Sequence, residues 1–151
     1  VVGILVAIVQ GFLVGKAVAW FGKRNVVTFG FLLWTLGMFL FSLADEPWML
    51  YAFLVPYALG GVAGPTVQGI ISNQVSDKEQ GILQGSITSL VSVTAILGQL
   101  IFAPVFYYFI RPDTTLYLPG APYVLAALFL SVAFVLATIA MKRITSAEKS
   151  I

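Results

Sequence analysis

Gln84, Thr88, Ser92 and Gln99 fall near one face at helical spacing, with Ser86, Ser89 and Thr94 beside them. A second stripe at the same spacing holds Tyr57, Gly61, Gly64 and Gln68. Amides and hydroxyls in such rows accept and donate hydrogen bonds without carrying charge. That chemistry suits recognition of a small molecule, or the binding of one helix to another, rather than catalysis. The chain has no His and no Cys, which removes imidazole acid–base work, thiol nucleophiles, disulfides and Cys/His metal sites. No carboxylate pair lies inside an apolar run, so no catalytic set, metal site or cofactor site is expected.

The elements that carry these rows must be membrane helices. Of the residues, 60% are hydrophobic and 9% charged, and the mean hydropathy is +1.00. A soluble domain usually has about 25% charged residues. The charges sit in five clusters: Lys16, Lys23 and Arg24; Asp45 and Glu46; Asp77, Lys78 and Glu79; Arg111 and Asp113; and Lys142, Arg143, Glu148 and Lys149. Each intervening apolar run is long enough to cross a bilayer, which needs about 20 helical residues. The odd-numbered clusters hold seven of the eight basic residues. With those clusters on the cytoplasmic side, the positive-inside rule holds throughout and the C-terminus is cytoplasmic. The net charge of +2 points to anionic lipid headgroups, and no basic–aromatic interleaving suggests nucleic acid.

The spacing predicts an all-α, polytopic bundle of five transmembrane helices, at about 1–21, 26–44, 48–75, 81–109 and 122–141, with a cytoplasmic tail at 142–151. Strands are excluded because lipid does not tolerate an open sheet edge. The second and fifth spans hold few polar residues and are expected to be outer, lipid-facing helices. A polar row on the third or fourth span must face protein or a wet cavity. The plainer alternative is hydrogen bonding that only holds helices together. Small residues recur four apart at Gly11/Gly15, Gly60/Gly64 and Gly81/Gly85, a spacing that allows close helix approach. Gly64-Pro65 is expected to interrupt the third span. The chain opens Val1-Val2-Gly3, already inside an apolar run, and is expected to be a piece of a longer protein.

Gly15-Lys-Ala-Val-Ala-Trp-Phe-Gly22-Lys23-Arg24 resembles the cytoplasmic loop motif of the major facilitator superfamily, with Ala19 and Trp20 where the motif has an acidic and a basic residue. The stretch Leu59-Gly-Gly-Val-Ala-Gly-Pro65, with Gln68, Ser72-Asn73-Gln74-Val75, Gln80-Gly81 and Gln84-Gly85-Ser86, is similar to the tenth and eleventh helices of tetracycline-resistance-type drug/proton antiporters. The resemblance covers nearly the whole chain. It implies that the five spans correspond to the eighth to twelfth helices of a twelve-helix transporter in a bacterial inner membrane. It further implies an N-terminal half as partner, a small-molecule substrate and the proton as coupling ion. On that reading Gln10, Tyr57, Gln68, Thr88, Ser92 and Gln99 line a substrate cavity, and Gly15, Gly22, Lys23 and Arg24 act in a cytoplasmic gate. Gly60, Gly61, Gly64, Pro65, Gly81 and Gly85 would serve helix bending and packing. Two departures stand out: the buried aspartate of tetracycline exporters falls near Trp34, and Gly98-Gln99 replaces a common Gly-Pro. A metabolite permease or a non-transporting membrane scaffold are the alternatives.

Overall fold

The computed structural model describes residues 3, 9–112 and 117–148; at 9, 10 and 145–148 only the backbone is considered. A single π-helical turn at Val9–Leu13 leads into five helices: α1 (Val14–Ser42), α2 (Pro47–Gly60), α3 (Ala63–Ser72), α4 (Gln80–Ile110) and α5 (Ala121–Glu148). No strand occurs among the described residues. Four stretches among them are long and apolar enough to cross a membrane: Gly11–Ser42, Pro47–Ser72, Gln80–Ile110 and Ala121–Ile144.

From Val14 the end of the first expected span and the second run on as one helix, broken only at Gly22 (φ 77°, ψ 153°). That region is open essentially only to glycine, because a Cβ would clash with the backbone. The expected loop at 22–25 is therefore one non-helical residue, and Lys23, Arg24 and Asn25 already belong to the next helical segment. From there to Ser42 the helix is about 30 Å long, the thickness of a hydrocarbon core.

The third span breaks earlier than expected. Gly61 and Val62 donate to Ala58 and Leu59, three residues back, so the helix tightens into a 3₁₀-type turn between α2 and α3. Pro65 sits in the first turn of α3, where a missing N–H costs little. The buried Thr66 hydroxyl returns a 2.7 Å hydrogen bond to the Val62 carbonyl. Pro47 begins α2 for the same reason that Pro65 suits α3. At the other end of the chain, α5 continues as helix to Glu148, through the first part of the expected tail.

α1 is the hub of the packing rather than an outer helix. It lies against α5, α2 and α3. One apolar cluster joins Val26, Ala58 and Val62, and another joins Val27, Ile70 and Met141. Close approach comes from glycines on one face of α1. A Cβ on Gly30 would lie 2.8 Å from the Ala63 Cβ, and one on Gly37 would lie 2.9 Å from the Tyr57 Cα. Gly60 answers from α2, backed against Trp34 and the Gly30 carbonyl. Gly120 is set equally tightly against the Ser42 backbone at the far end. The opposite faces remain open: Phe29, Leu32, Leu36 and Phe39 on α1, and Leu128, Val132, Val135 and Ile139 on α5. These stripes recur every three to four residues and suit lipid.

Val27, Ile70 and Met141 meet beside the basic clusters, and Ser42 meets Gly120 beside the other set of charges. The packing and the charge pattern thus assign the same two membrane faces. α4 stands apart, with no buried residue along its length.

Candidate functional site

α4 presents two adjacent faces, whose mean directions lie about 90° apart around its axis at 100° per residue. The first carries the polar row. Gln68 Nε2 on α3 donates to Gln84 Oε1 on α4 at 3.0 Å. One turn nearer the loop that joins the two helices, the Ser72 hydroxyl donates to Gln80 Oε1 and Gln80 Nε2 donates to the Ser72 carbonyl, both at 2.7 Å. Four residues thus tie the adjoining ends of α3 and α4 without a charge. Thr88 and Ser92 continue the row, both exposed, with the Ser92 hydroxyl turned onto the Thr88 carbonyl at 2.9 Å. Gln99 ends it, exposed, beside a cavity of about 440 Å³ with Phe102, Phe106 and Tyr123.

The second face turns toward α1. Thr94, Gly98 and Phe102 close one side of a cavity of about 600 Å³, whose other walls include Trp34, Tyr57 and Phe129. A chain of rings runs behind it: Phe31 and Trp34 at 6.1 Å, Trp34 and Tyr57 at 6.5 Å, and Tyr57 and Phe41 at 5.8 Å. Phe102 and Phe129 meet at 6.2 Å, where α4 touches α5.

The six expected cavity residues therefore do not form one group. Gln68, Thr88, Ser92 and Gln99 share the polar face, with Gln68 engaged by Gln84. Tyr57 belongs to the aromatic cavity instead. The Gln10 side chain lies outside the described residues. Of the expected packing residues, Gly60 and Gly61 are buried, whereas Gly64 has only the Trp34 ring edge 3.9 Å from where a Cβ would be. Pro65 is half-buried, and a Cβ on Gly15, Gly81 or Gly85 would meet nothing within 4 Å. Sequence reasoning missed Gly30 and Gly37, although their seven-residue spacing marks one helix face. It also missed Gln80 as the partner of Ser72.

In the loop motif, Lys23 and Arg24 are exposed directly after the Gly22 break. The loop between α3 and α4 is held by Ser76 and Glu79. The Ser76 hydroxyl and amide donate to the Glu79 carboxylate at 2.7 and 3.2 Å, closing the turn that leads into α4. The Ser76 hydroxyl, and then its amide, hold the Glu79 carboxyl below its ordinary pKa of 4.5. Among the described residues no cluster of His, Cys, Asp or Glu is placed to hold a metal ion.

Long apolar helices, turns that carry the charges and a charge-free polar row define a helical membrane bundle. Residues 1–150 match the profile of the Major Facilitator Superfamily, and the chain belongs to that family. It is 38% identical to the class C tetracycline resistance protein of Escherichia coli over 106 residues, which is 70% of this chain and 27% of that protein. It is 30% identical to the class B protein of the same organism over 135 residues, 89% of this chain and 34% of that protein. It is also 28% identical to the mouse Hippocampus abundant transcript 1 protein over 109 residues, 72% of this chain and 22% of that protein. The chain thus spans about a fifth to a third of the length of these relatives. No solved structure matches it.

Proposed function

We propose that this chain is the C-terminal bundle of a proton-coupled exporter of amphipathic, drug-like small molecules, working by alternating access in a bacterial inner membrane. The observation that carries the reading is α4: it buries no residue, yet bears Gln84, Thr88, Ser92 and Gln99 along one exposed face. Lipid cannot satisfy those groups, so the face belongs against a second bundle or a water-filled path between bundles. The tetracycline resistance proteins among the relatives favour drug export as the activity. The substrate would meet amides, hydroxyls and aromatic walls. Gln68 and Gln84 would release each other to bind it, and Gln80 with Ser72 would hold the cytoplasmic end.

α2 to α5 carry no Asp, Glu, Lys or Arg at mid-span, and neither does α1 between Arg24 and Ser42. The group that takes up the coupling proton would therefore lie in the remainder of the transporter. Trp34, at the register of the tetracycline exporters' aspartate, favours drug-like compounds other than tetracycline. The test is gradient-driven uptake of cationic dyes and of tetracycline by everted vesicles containing the full-length protein. Uptake of a dye that an uncoupler abolishes is the expected result. Movement of none of the compounds would remove the exporter reading in favour of a metabolite permease or a scaffold.

A further inference from the structure

α4 is fastened to the bundle near its two ends. Gln68 and Ser72 of α3 donate to Gln84 and Gln80 at its start, and Phe102 meets Phe129 of α5 further along. Between these points the helix stands off α1, and the gap is the cavity of about 600 Å³. Its position between α1, α2, α4 and α5 sets it beside the polar row, and Phe102 is a wall of both this cavity and the one at Gln99.

The walls define what fits. No lining residue carries a formal charge, so an ion would lose its hydration with no counter-charge to replace it. Trp34, Tyr57, Phe102 and Phe129 offer ring faces and edges. The Thr94 hydroxyl is already spent on the Leu90 and Val91 carbonyls, at 2.9 Å each. The Trp34 indole N–H and the Tyr57 hydroxyl donate no hydrogen bond among the described residues and are not sealed from their surroundings, which leaves two donors on the lining residues for an acceptor. A lipid acyl chain would use neither the rings nor the donors. It would also gain nothing by leaving bulk lipid, whose tails are as apolar as the cavity. A planar aromatic molecule would gain ring contacts, and a carbonyl or ether oxygen on it would accept from Trp34 or Tyr57.

We propose that this cavity is a binding site, beside the polar row rather than on it, for uncharged aromatic molecules that carry a hydrogen-bond acceptor. It does not depend on the export reading, because it rests on the cavity alone.

The probe is prodan, a neutral naphthyl ketone that accepts energy from tryptophan. Full-length protein in lipid nanodiscs would keep Trp34 as its sole tryptophan, with Trp20→Phe, Trp48→Phe and any others replaced. Prodan should then quench Trp34 emission saturably. Gly98 lines the cavity with nothing within 4 Å of where its Cβ would be, so Gly98→Leu fills the space without a backbone clash. It should raise the half-saturating concentration about tenfold or more, by occupying the volume the ligand needs. Tyr57→Phe removes one donor and should raise it about 2- to 10-fold. Met38→Phe fills the cavity from the opposite wall and repeats the test should Gly98→Leu not fold. Quenching that rises linearly and is the same in every variant would mean dye in bulk lipid, and would overturn the proposal. Saturable quenching indifferent to Gly98→Leu, Met38→Phe and Tyr57→Phe would place the dye elsewhere and overturn it too. Full displacement by palmitate at equal concentration would make the occupant an acyl chain and overturn the assigned ligand class. Binding is read here without a gradient, so failed transport and failed binding are separate results.

Discussion

Gly60→Ala tests the packing of α1 against α2 most sharply. The added Cβ would lie 2.7 Å from the Trp34 amide nitrogen, 2.8 Å from its Cδ1 and 2.9 Å from the Gly30 carbonyl oxygen. Carbon atoms rest at about 3.5–4.0 Å, so the helices must part by most of an ångström. Two of the three obstacles are backbone, so no rotamer change relieves them. Overpacking of this kind costs about 1–3 kcal/mol. The upper half of that range applies here, because parting the helices also loosens Gly37 against Tyr57 one step along the same crossing. A loss of about 2 kcal/mol lowers the folding equilibrium constant roughly 30-fold. The assay is SDS-induced unfolding of the purified full-length protein, with Gly81→Ala as control. A Cβ on Gly81 meets nothing within 4 Å, and alanine in a helix is expected to be neutral or stabilising by up to about 1 kcal/mol. Equal midpoints for the two variants would refute the close crossing.

Three further outcomes concern Gly22 and the junction of α3 with α4. Gly22→Ala places a Cβ at φ 77° and ψ 153°, which should cost about 1–3 kcal/mol in the same unfolding assay. Gln80→Ala removes both bonds to Ser72 and should widen the distance between the adjoining ends of α3 and α4, read by spin labels at positions 73 and 81. The Glu79 carboxyl is held below 4.5, so the stability from its bonds to Ser76 is fully present above that pH and is lost as the pH falls through the lowered value. The difference in melting temperature between wild type and Glu79→Gln should accordingly shrink as the pH is lowered from 6 toward 3 (~3 units spanning the carboxylate range).

The ends of the spans were legible because charge is costly in lipid: Lys23-Arg24, Asp45-Glu46 and Asp77 to Glu79 each mark a point where the chain meets water. The break at Gly22 was legible as a turn, although its extent was not, since one glycine at positive φ bends a helix that otherwise continues. Hydropathy alone misplaced the span at 26–44. Few polar residues suggested an outer helix, while Gly30 and Gly37 made one of its faces the closest contact in the bundle. Apolar composition does not separate lipid from a packed neighbour, because in a membrane both are apolar. The polar row on α4 was visible from its spacing. That Gln68 is paired with Gln84, and that Tyr57 lies on a different face from Thr88 and Ser92, depends on how α2, α3 and α4 are rotated, which no local pattern encodes.

The most direct test of the central claim is water access to the polar face of α4. The chain has no cysteine of its own, so single cysteines at Thr88 and Ser92 report cleanly once any elsewhere in the full-length protein are removed. A membrane-impermeant thiol reagent, applied to everted vesicles, should label both and leave a cysteine at Leu136, on the lipid-facing stripe, unlabelled. A transported dye should slow the labelling at 88 and 92. Absence of labelling at both positions would mean a dry, permanently filled interface, and would contradict the exporter account.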